Sequence, residues 1–312
     1  MPRSLVAGGA GFVGSHLVEA LLASGHEVVV ADNFCTGRRE NLARIADDID
    51  IVDIDISDSS AVHEKLTGRF DYVFNLACPA SPIDYLRLPI QTMMVGSMGV
   101  KNTLDLALAH DARYLLASTS EVYGDPQVHP QPETYVGHVN PIGPRSVYDE
   151  AKRFGEAMTA SYHREFGLDA KIIRIFNTFG PRMRVEDGRA IPNFIHQALE
   201  GLPITVAGDG LQTRSICYVD DLVAGIIAMM NSDVQGPINV GNPEEISMLD
   251  LAQWIRDLVG SGSEISFIPR HVDDPQVRKP DISQAKLILD WEPQTSAEIG
   301  LKHTIEDFRH HA

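Results

Sequence analysis

The stretch VAGGAGFVGSHLVEALLASG, residues 6–25, constrains this chain more than any other, because it sets Gly8, Gly9, Gly11 and Gly14 between an apolar β-like run and an amphipathic helical pattern. A strand that turns on glycines straight into a helix lets backbone approach a pyrophosphate, whose charge then rests on the N–H groups of the helix N-terminus. The spacing satisfies both GxGxxG and GxxGxxG and predicts a helix from about Ser15. A second β-branched run ends at Asp32, where a carboxylate accepts from ribose hydroxyls and repels a 2′-phosphate, so NAD is expected in preference to NADP. Candidate cofactor contacts are Gly8, Gly11, Phe12, Val13, Gly14, Asp32 and Asn33, with Asp55 and Ile56 at the end of the third strand for the adenine, and Ala77 at the end of the fourth. Arg38 and Arg39 read as a solvated loop.

Further short apolar runs, at 4–7, 27–31, 49–54, 72–77, 114–118 and 170–175, alternate with helical patterns. That alternation predicts βαβ units: an α/β fold with a Rossmann-type doubly wound parallel sheet. After Phe176 the pattern breaks into loops rich in Gly, Pro and Arg, short strands near Ile204 and Ile238, and helices around 221–230, 249–259 and 298–308. Residues 1–175 are therefore expected to form the dinucleotide-binding domain, with some later segments returning to it. Residues 176–312 are expected to form mainly a smaller substrate-binding α/β lobe, with the site above the carboxyl ends of the strands.

A formal net charge of −17 excludes non-specific nucleic-acid binding and docking on anionic membrane, and requires any anionic ligand to find local basic partners. No stretch approaches the roughly 20 apolar residues of a membrane span, and no leader pattern precedes the first strand, so a cytoplasmic protein is expected. Cys35, Cys78 and Cys217 are too widely spaced for a CxxC pair, and the 12 histidines contain no HExxH, so neither a disulfide framework nor a metal site is indicated.

The catalytic signature is YDEAK, which puts Tyr148 and Lys152 one turn apart on the same helix face. A phenol with a pKa near ~10 is a poor base, and needs an adjacent ammonium and a cationic nicotinamide to stabilise its phenolate. Thr119, 29 residues upstream at a strand end, can hydrogen-bond the same substrate oxygen. With these residues, and with NLACPASP (75–82), STSEVYGDP (118–126), HPQPETY (129–135), NPIGPRSVYDEAKR (140–153), RIFNTFGPRM (174–183), QTRSICYVDD (212–221) and RKPDISQAK (278–286), the chain resembles the extended short-chain dehydrogenase/reductase superfamily over nearly its whole length. Within it, the chain is most similar to NAD-dependent UDP-glucuronate decarboxylases, the UDP-xylose synthases.

The resemblance implies that Thr119, Glu121, Tyr148 and Lys152 are catalytic, Tyr148 and Lys152 also touching the cofactor. Related dehydratases carry STDEVYG, and Ser120 in place of the Asp removes an acid needed for elimination. Simple 4-epimerases usually have a small or hydroxyl-bearing residue where Glu121 stands. Glu121 thus points to chemistry at C5 or C6 of a UDP-sugar acid, through a 4-keto sugar that loses CO2. The resemblance implies further that Asn177 and Arg214 hold the diphosphate, Tyr218 the nucleotide, and Arg278 the sugar carboxylate or the adjacent phosphate. Arg182 is expected to face the cleft, and Ser120 and Pro79 to line the sugar pocket. Two other readings stay open: a UDP-glucuronate 4-epimerase, and a dinucleotide-binding regulator without turnover. A homodimer is expected, because the helices at 90–109 and 147–166 carry surplus apolar positions including Met93, Met94, Met98 and Met158, and the resemblance implies that they pair as a four-helix bundle.

Overall fold

The computed structural model describes residues 1–270 and 275–311. The first half runs β1 (Arg3–Ala7), α1 (Phe12–Ala23), β2 (Glu27–Asp32), β3 (Asp50–Asp53), α2 (Ser59–Lys65), β4 (Tyr72–Asn75), α3 (Pro82–Arg87), α4 (Pro89–Met94), α5 (Val100–His110), β5 (Arg113–Thr119), α6 (Ser146–Phe166) and β6 (Ala170–Ile175). The second half runs β7 (Thr178–Phe179), α7 (Ala190–Leu199), β8 (Ile204–Ala207), β9 (Thr213–Ser215), β10 (Cys217–Tyr218), α8 (Val219–Asn231), β11 (Ile238–Val240), β12 (Glu245–Ser247), α9 (Met248–Val259), β13 (Ile265–Ile268), α10 (Ser283–Leu289) and α11 (Ala297–His311).

Seven strands form one sheet in the order β11-β6-β5-β4-β1-β2-β3, and every neighbouring pair is parallel. The chain winds outward in both directions from β1 and β4, so the carboxyl ends of those two strands open the crevice expected of a Rossmann sheet. Successive residues of a strand point to opposite faces. Leu5, Val29 and Leu116 accordingly pack on one side with Leu104 and Val100 of α5, while Val6, Val30 and Leu115 pack on the other with Leu17 of α1 and Leu222 of α8. The latter core continues without interruption to Phe194, Trp291 and Leu301. Although β11 and α8 come after residue 176, β11 pairs with β6 and α8 covers the sheet.

The first helix differs from the sequence expectation. It begins at Phe12, capped by Gly11, rather than near Ser15. A Cβ on Gly14 would lie 2.1 Å from Gly8 O, and Gly8 itself has φ +81°. The glycine turn and the first helical turn are therefore stacked on one another, which only an early start allows. Between α4 and α5 the helical run widens into a π turn at Val95–Gly99, where α6 comes so close that a Cβ on Gly96 would meet the Cβ of Ala151 at 2.6 Å.

Candidate active site

The crevice has a cofactor side formed largely by backbone. The Asp32 carboxylate, 8% exposed at the end of β2, accepts from the backbone N–H of Ala10 and of Phe34, each at 2.9 Å. Burial raises its pKa, against the pull of those two N–H groups. Gly8 faces Ala77 across the crevice so closely that a Cβ there would lie 2.7 Å from Ala77 N. Phe12 and Val13 open α1. Asn33 donates to Asp55 at 3.2 Å, and Ile56 O accepts from Asn102 at 2.9 Å, so the expected adenine contacts form one group. These residues fit a dinucleotide: a cradle that side chains would fill, beside a helix N-terminus and a strand-end carboxylate.

The two arginines of the following loop divide. Arg39 is exposed and pairs with Asp53 at 2.9 Å, as a solvated loop predicts. Arg38 corrects that reading: its backbone N–H donates to Ala10 O at 3.0 Å, its guanidinium reaches Arg182 O at 3.4 Å, and its Nε is buried with no partner.

The reacting side is formed by β5 and α6. Tyr148 is 6% exposed, and the Thr119 hydroxyl pulls its pKa down against the effect of burial. Lys152 donates to Ala117 O at 2.8 Å, and its ammonium stands 5.9 Å from the Tyr148 ring centroid. Tyr85 of α3 stacks on Tyr148 with centroids 5.3 Å apart and planes within 6°. Burial drives the phenol of Tyr148 well above its usual pKa. The protein alone therefore keeps this group protonated, and the phenolate depends on Lys152 together with a positive ring beside it.

Glu121 is the second residue of the short 3-10 turn Ser120–Tyr123 directly after β5. Its carboxylate is gripped by two arginines. Arg278, 3% exposed, takes both oxygens, with Nη1 paired to Oε1 and Nη2 donating to Oε2 at 2.8 Å, while Arg145 donates to Oε2 at 2.6 Å. Burial alone would raise the pKa of Glu121, but Arg278 and Arg145 overcome it and hold the carboxyl down to about 2. Arg145, at the start of α6, is a site residue that the sequence reading missed; its only signal was the match to NPIGPRSVYDEAKR. Also missed were Tyr85 and Arg189, whose charge acts on Tyr148.

The other expected substrate residues are spread out. Ser120 is buried beside Glu121, and Pro79 is buried in the loop after β4. Asn177 follows β6 with its side-chain amide nitrogen buried and unpartnered. Arg214 lies on β9 and donates to Thr213 O at 2.8 Å. Two residues stand apart from the Glu121 cluster. Arg182 lies against α1, where its Nη2 pairs with Glu19 at 2.5 Å. Tyr218 is 6% exposed in the core against Phe179, with its hydroxyl 3.4 Å from His303 Nδ1. Among the described residues, no group of three or more His, Cys, Asp or Glu could hold a metal ion.

A glycine cradle, a strand-end Asp and a Tyr–Lys pair on one sheet agree with the comparison to known proteins. The profile of the NAD dependent epimerase/dehydratase family matches residues 4–241. The chain belongs to that family. It is 52% identical, over 98% of its length and 72% of the relative's, to UDP-glucuronic acid decarboxylase 1 of Xenopus tropicalis. In structure it is similar to a UDP-glucose 4-epimerase of Thermotoga maritima solved with UDP-glucose (TM-score 0.93, 30% identity, 99% of each chain). A dTDP-glucose 4,6-dehydratase of Streptomyces venezuelae solved with NAD is also similar (TM-score 0.90, 28% identity, 99% of this chain and 97% of that one). Proteins of this fold thus run different reactions.

Proposed function

We propose that this chain is an NAD-dependent UDP-glucuronate decarboxylase that forms UDP-xylose. The observation that carries the reading is Glu121, locked by Arg278 and Arg145 at the end of β5 beside Thr119 and Tyr148. An epimerase that moves one hydride at C4 has no use for a third ionised group there. About 50% identity to curated decarboxylases across nearly the whole chain supports the same conclusion.

When bound, NAD supplies the oxidant for C4 and returns the hydride at the end of the cycle. Gly8, Gly11, Phe12, Val13 and Gly14 would hold its pyrophosphate, Asp32 and Asn33 its adenosine ribose, Asp55 and Ile56 the adenine, and Ala77, Tyr148 and Lys152 the nicotinamide half. Arg38, with a buried unpartnered Nε at the glycine turn, adds a donor to that set. Tyr148 removes the O4 proton while Thr119 orients the oxygen and Lys152 steadies the phenolate. A C4 ketone makes C6 the carboxylate of a β-keto acid. Once CO2 leaves, charge on O4 is met by the hydroxyls of Tyr148 and Thr119, an oxyanion-hole arrangement. Glu121 stays a carboxylate throughout and orders the water that delivers a proton to C5. The diphosphate falls to Asn177 and Arg214 and the sugar to Ser120 and Pro79, while Tyr218, expected at the nucleotide, packs in the core against Phe179. Arg278 meets the anionic end of the sugar, and Arg182, paired with Glu19, braces the loop after β7 against α1. Residues 1–175 serve the cofactor and residues 176–312 mainly the nucleotide sugar.

The same reading includes a homodimer through α4, α5 and α6. Ile90, Met93, Met94 and Phe154 are each more than two-fifths exposed there, an apolar stripe that pairing would cover. Met158 is the exception, since it packs inward. A single-chain mass on sedimentation at micromolar concentration would remove the dimer. No helix among the described residues is long and apolar enough to cross a membrane, and the cytoplasmic placement rests on that and on three free cysteines. The decisive experiment is incubation with NAD and UDP-glucuronate: CO2 and UDP-xylose are expected. UDP-galacturonate without CO2 would make the chain an epimerase, and no product from any UDP-sugar acid would make it a binder.

A further inference from the structure

Decarboxylation consumes a proton. A glucuronate that loses C6 as CO2 exchanges a carboxylate for a C–H bond at C5, so one proton must enter from solution in each turnover. The proton of Tyr148 is committed to O4, which gives it up and takes it back. Glu121, pinned by Arg278 and Arg145 and protonated only at about 2, has none to give near neutrality.

A second carboxyl lies beside them without such partners. Asp149 follows Tyr148 on α6, is 5% exposed, and has an enclosed Oδ1 with no hydrogen-bond partner. Arg145, Asp149 and Arg153 are spaced by four and share a helix face. That face lies against the turn that carries Glu121: Arg145 reaches Glu121 Oε2, and Arg153 donates to Val122 O at 3.0 Å. Asp149 sits between the two. The groups that act on it are Glu121 from the turn, Arg278 from the C-terminal half, Arg145 and Glu150 from its own helix, and Tyr85 from α3. The hydroxyl of Tyr85 is likewise buried and unpartnered. Two guanidiniums thus face two carboxylates, and Glu121 takes the hydrogen bonds of both. Burial, then repulsion from Glu121, raise the pKa of Asp149 to about 7 against the attraction of Arg145 and Arg278. A buried carboxyl without hydrogen bonds is stable as the neutral acid.

We propose that Asp149 holds the proton that C5 takes up after CO2 has left, passing it through the water ordered by Glu121. This rests on the decarboxylase reading. The C5–C6 bond breaks, its electron pair passes into the enolate at O4, and the Asp149 proton forms the new C5–H bond. The Asp149 carboxylate then regains a proton from solvent, and nothing is oxidised or reduced in the step.

The test is single turnover of the full chain with NAD and UDP-glucuronate, following NADH, CO2 and UDP-pentose across roughly pH 5.5 to 8.5, on either side of neutrality. Asp149→Asn is expected to keep C4 oxidation within about twofold while pentose formation falls about 10²- to 10⁴-fold and loses its pH dependence. Asp149→Glu should restore most of the pentose with the falling alkaline limb intact. An Asn variant with wild-type pentose output overturns the proposal, and so does one in which C4 oxidation and pentose formation fall together, the mark of a structural role. If that variant does not fold, the wild type decides. A pentose-forming step that drops about tenfold per unit above neutrality, as loss of one proton requires, supports the proposal, and a flat one overturns it. Wild type that releases no CO2 sinks the decarboxylase reading, whereas CO2 with an unaffected Asn variant sinks this inference alone.

Discussion

The two sides of the crevice meet anions in different ways. At the glycine turn the chain offers backbone: Gly8, Gly11 and Gly14 leave room, and even Asp32 is fastened to the N–H groups of Ala10 and Phe34. At the end of β5 the chain offers side-chain charge: Glu121 takes the hydrogen bonds of both Arg145 and Arg278, and Asp149 is left without one. Backbone sites serve any dinucleotide enzyme, because peptide groups carry no residue identity. Ion clusters are specific, because replacing one member changes the charge state of the others. Cofactor chemistry is therefore common to the family, and reaction choice is local to a few residues.

Tyr148→Phe should have the largest effect and sharpens the contrast, since it removes the proposed base while leaving both sides assembled. C4 oxidation is expected to fall about 10²- to 10⁴-fold, read as absent NADH absorbance in single turnover, while calorimetric NAD affinity stays unchanged. Were NADH still formed at the wild-type rate, the phenol would not be the base.

Glu121→Gln attacks the ion cluster. NADH should still form with UDP-glucuronate while pentose output falls by about 10²-fold or more. Two guanidiniums lose their counter-charge, at a cost of about 3 kcal/mol, and a lowered melting temperature would register it. A pH series adds the sign. With the folded pKa depressed to about 2, the stabilisation from Glu121 is complete above the unfolded value of about 4.3 and lost as pH falls toward the folded one. In that acid window wild-type stability should fall more steeply than that of the Gln variant; identical curves would mean the pairs contribute nothing.

Gly14→Ala tests the backbone side. A Cβ at 2.1 Å from Gly8 O forces the turn and helix apart, an overpacking of about 1–3 kcal/mol. NAD affinity measured by titration calorimetry should drop by about tenfold or more. Unchanged affinity would mean that close approach at this turn is not required.

The smallest effect is expected at Asp32. Alanine there would orphan two backbone donors, so Asp32→Asn is the cleaner change. It keeps an acceptor but removes the charge that repels a 2′-phosphate. Preference for NAD over NADP should relax by about tenfold, one charged hydrogen bond of about 1.5 kcal/mol. Wild-type protein that already uses NADP as well as NAD would remove the premise.

The sequence alone determined what depends on local periodicity and short spacing. The alternating runs located the first six strands of the parallel sheet, the glycine motif and Asp32 marked the cofactor end, and Tyr148 and Lys152 shared a face because a helix repeats every 3.6 residues. Even there the start of α1 was missed, because packing of Gly14 on Gly8 is a contact and leaves no periodic trace. Tertiary structure alone decided who pairs with whom. Glu121 and Arg278 are 157 residues apart, and nothing in either segment says that the arginine fork closes on that carboxylate while Arg182 goes to Glu19 and Tyr218 turns into the core. Asp149, one position from Tyr148 in the sequence, was unreadable for the same reason. Its raised pKa comes from burial and then Glu121, against Arg145 and Arg278, and burial and long-range charge exist only once the chain has folded.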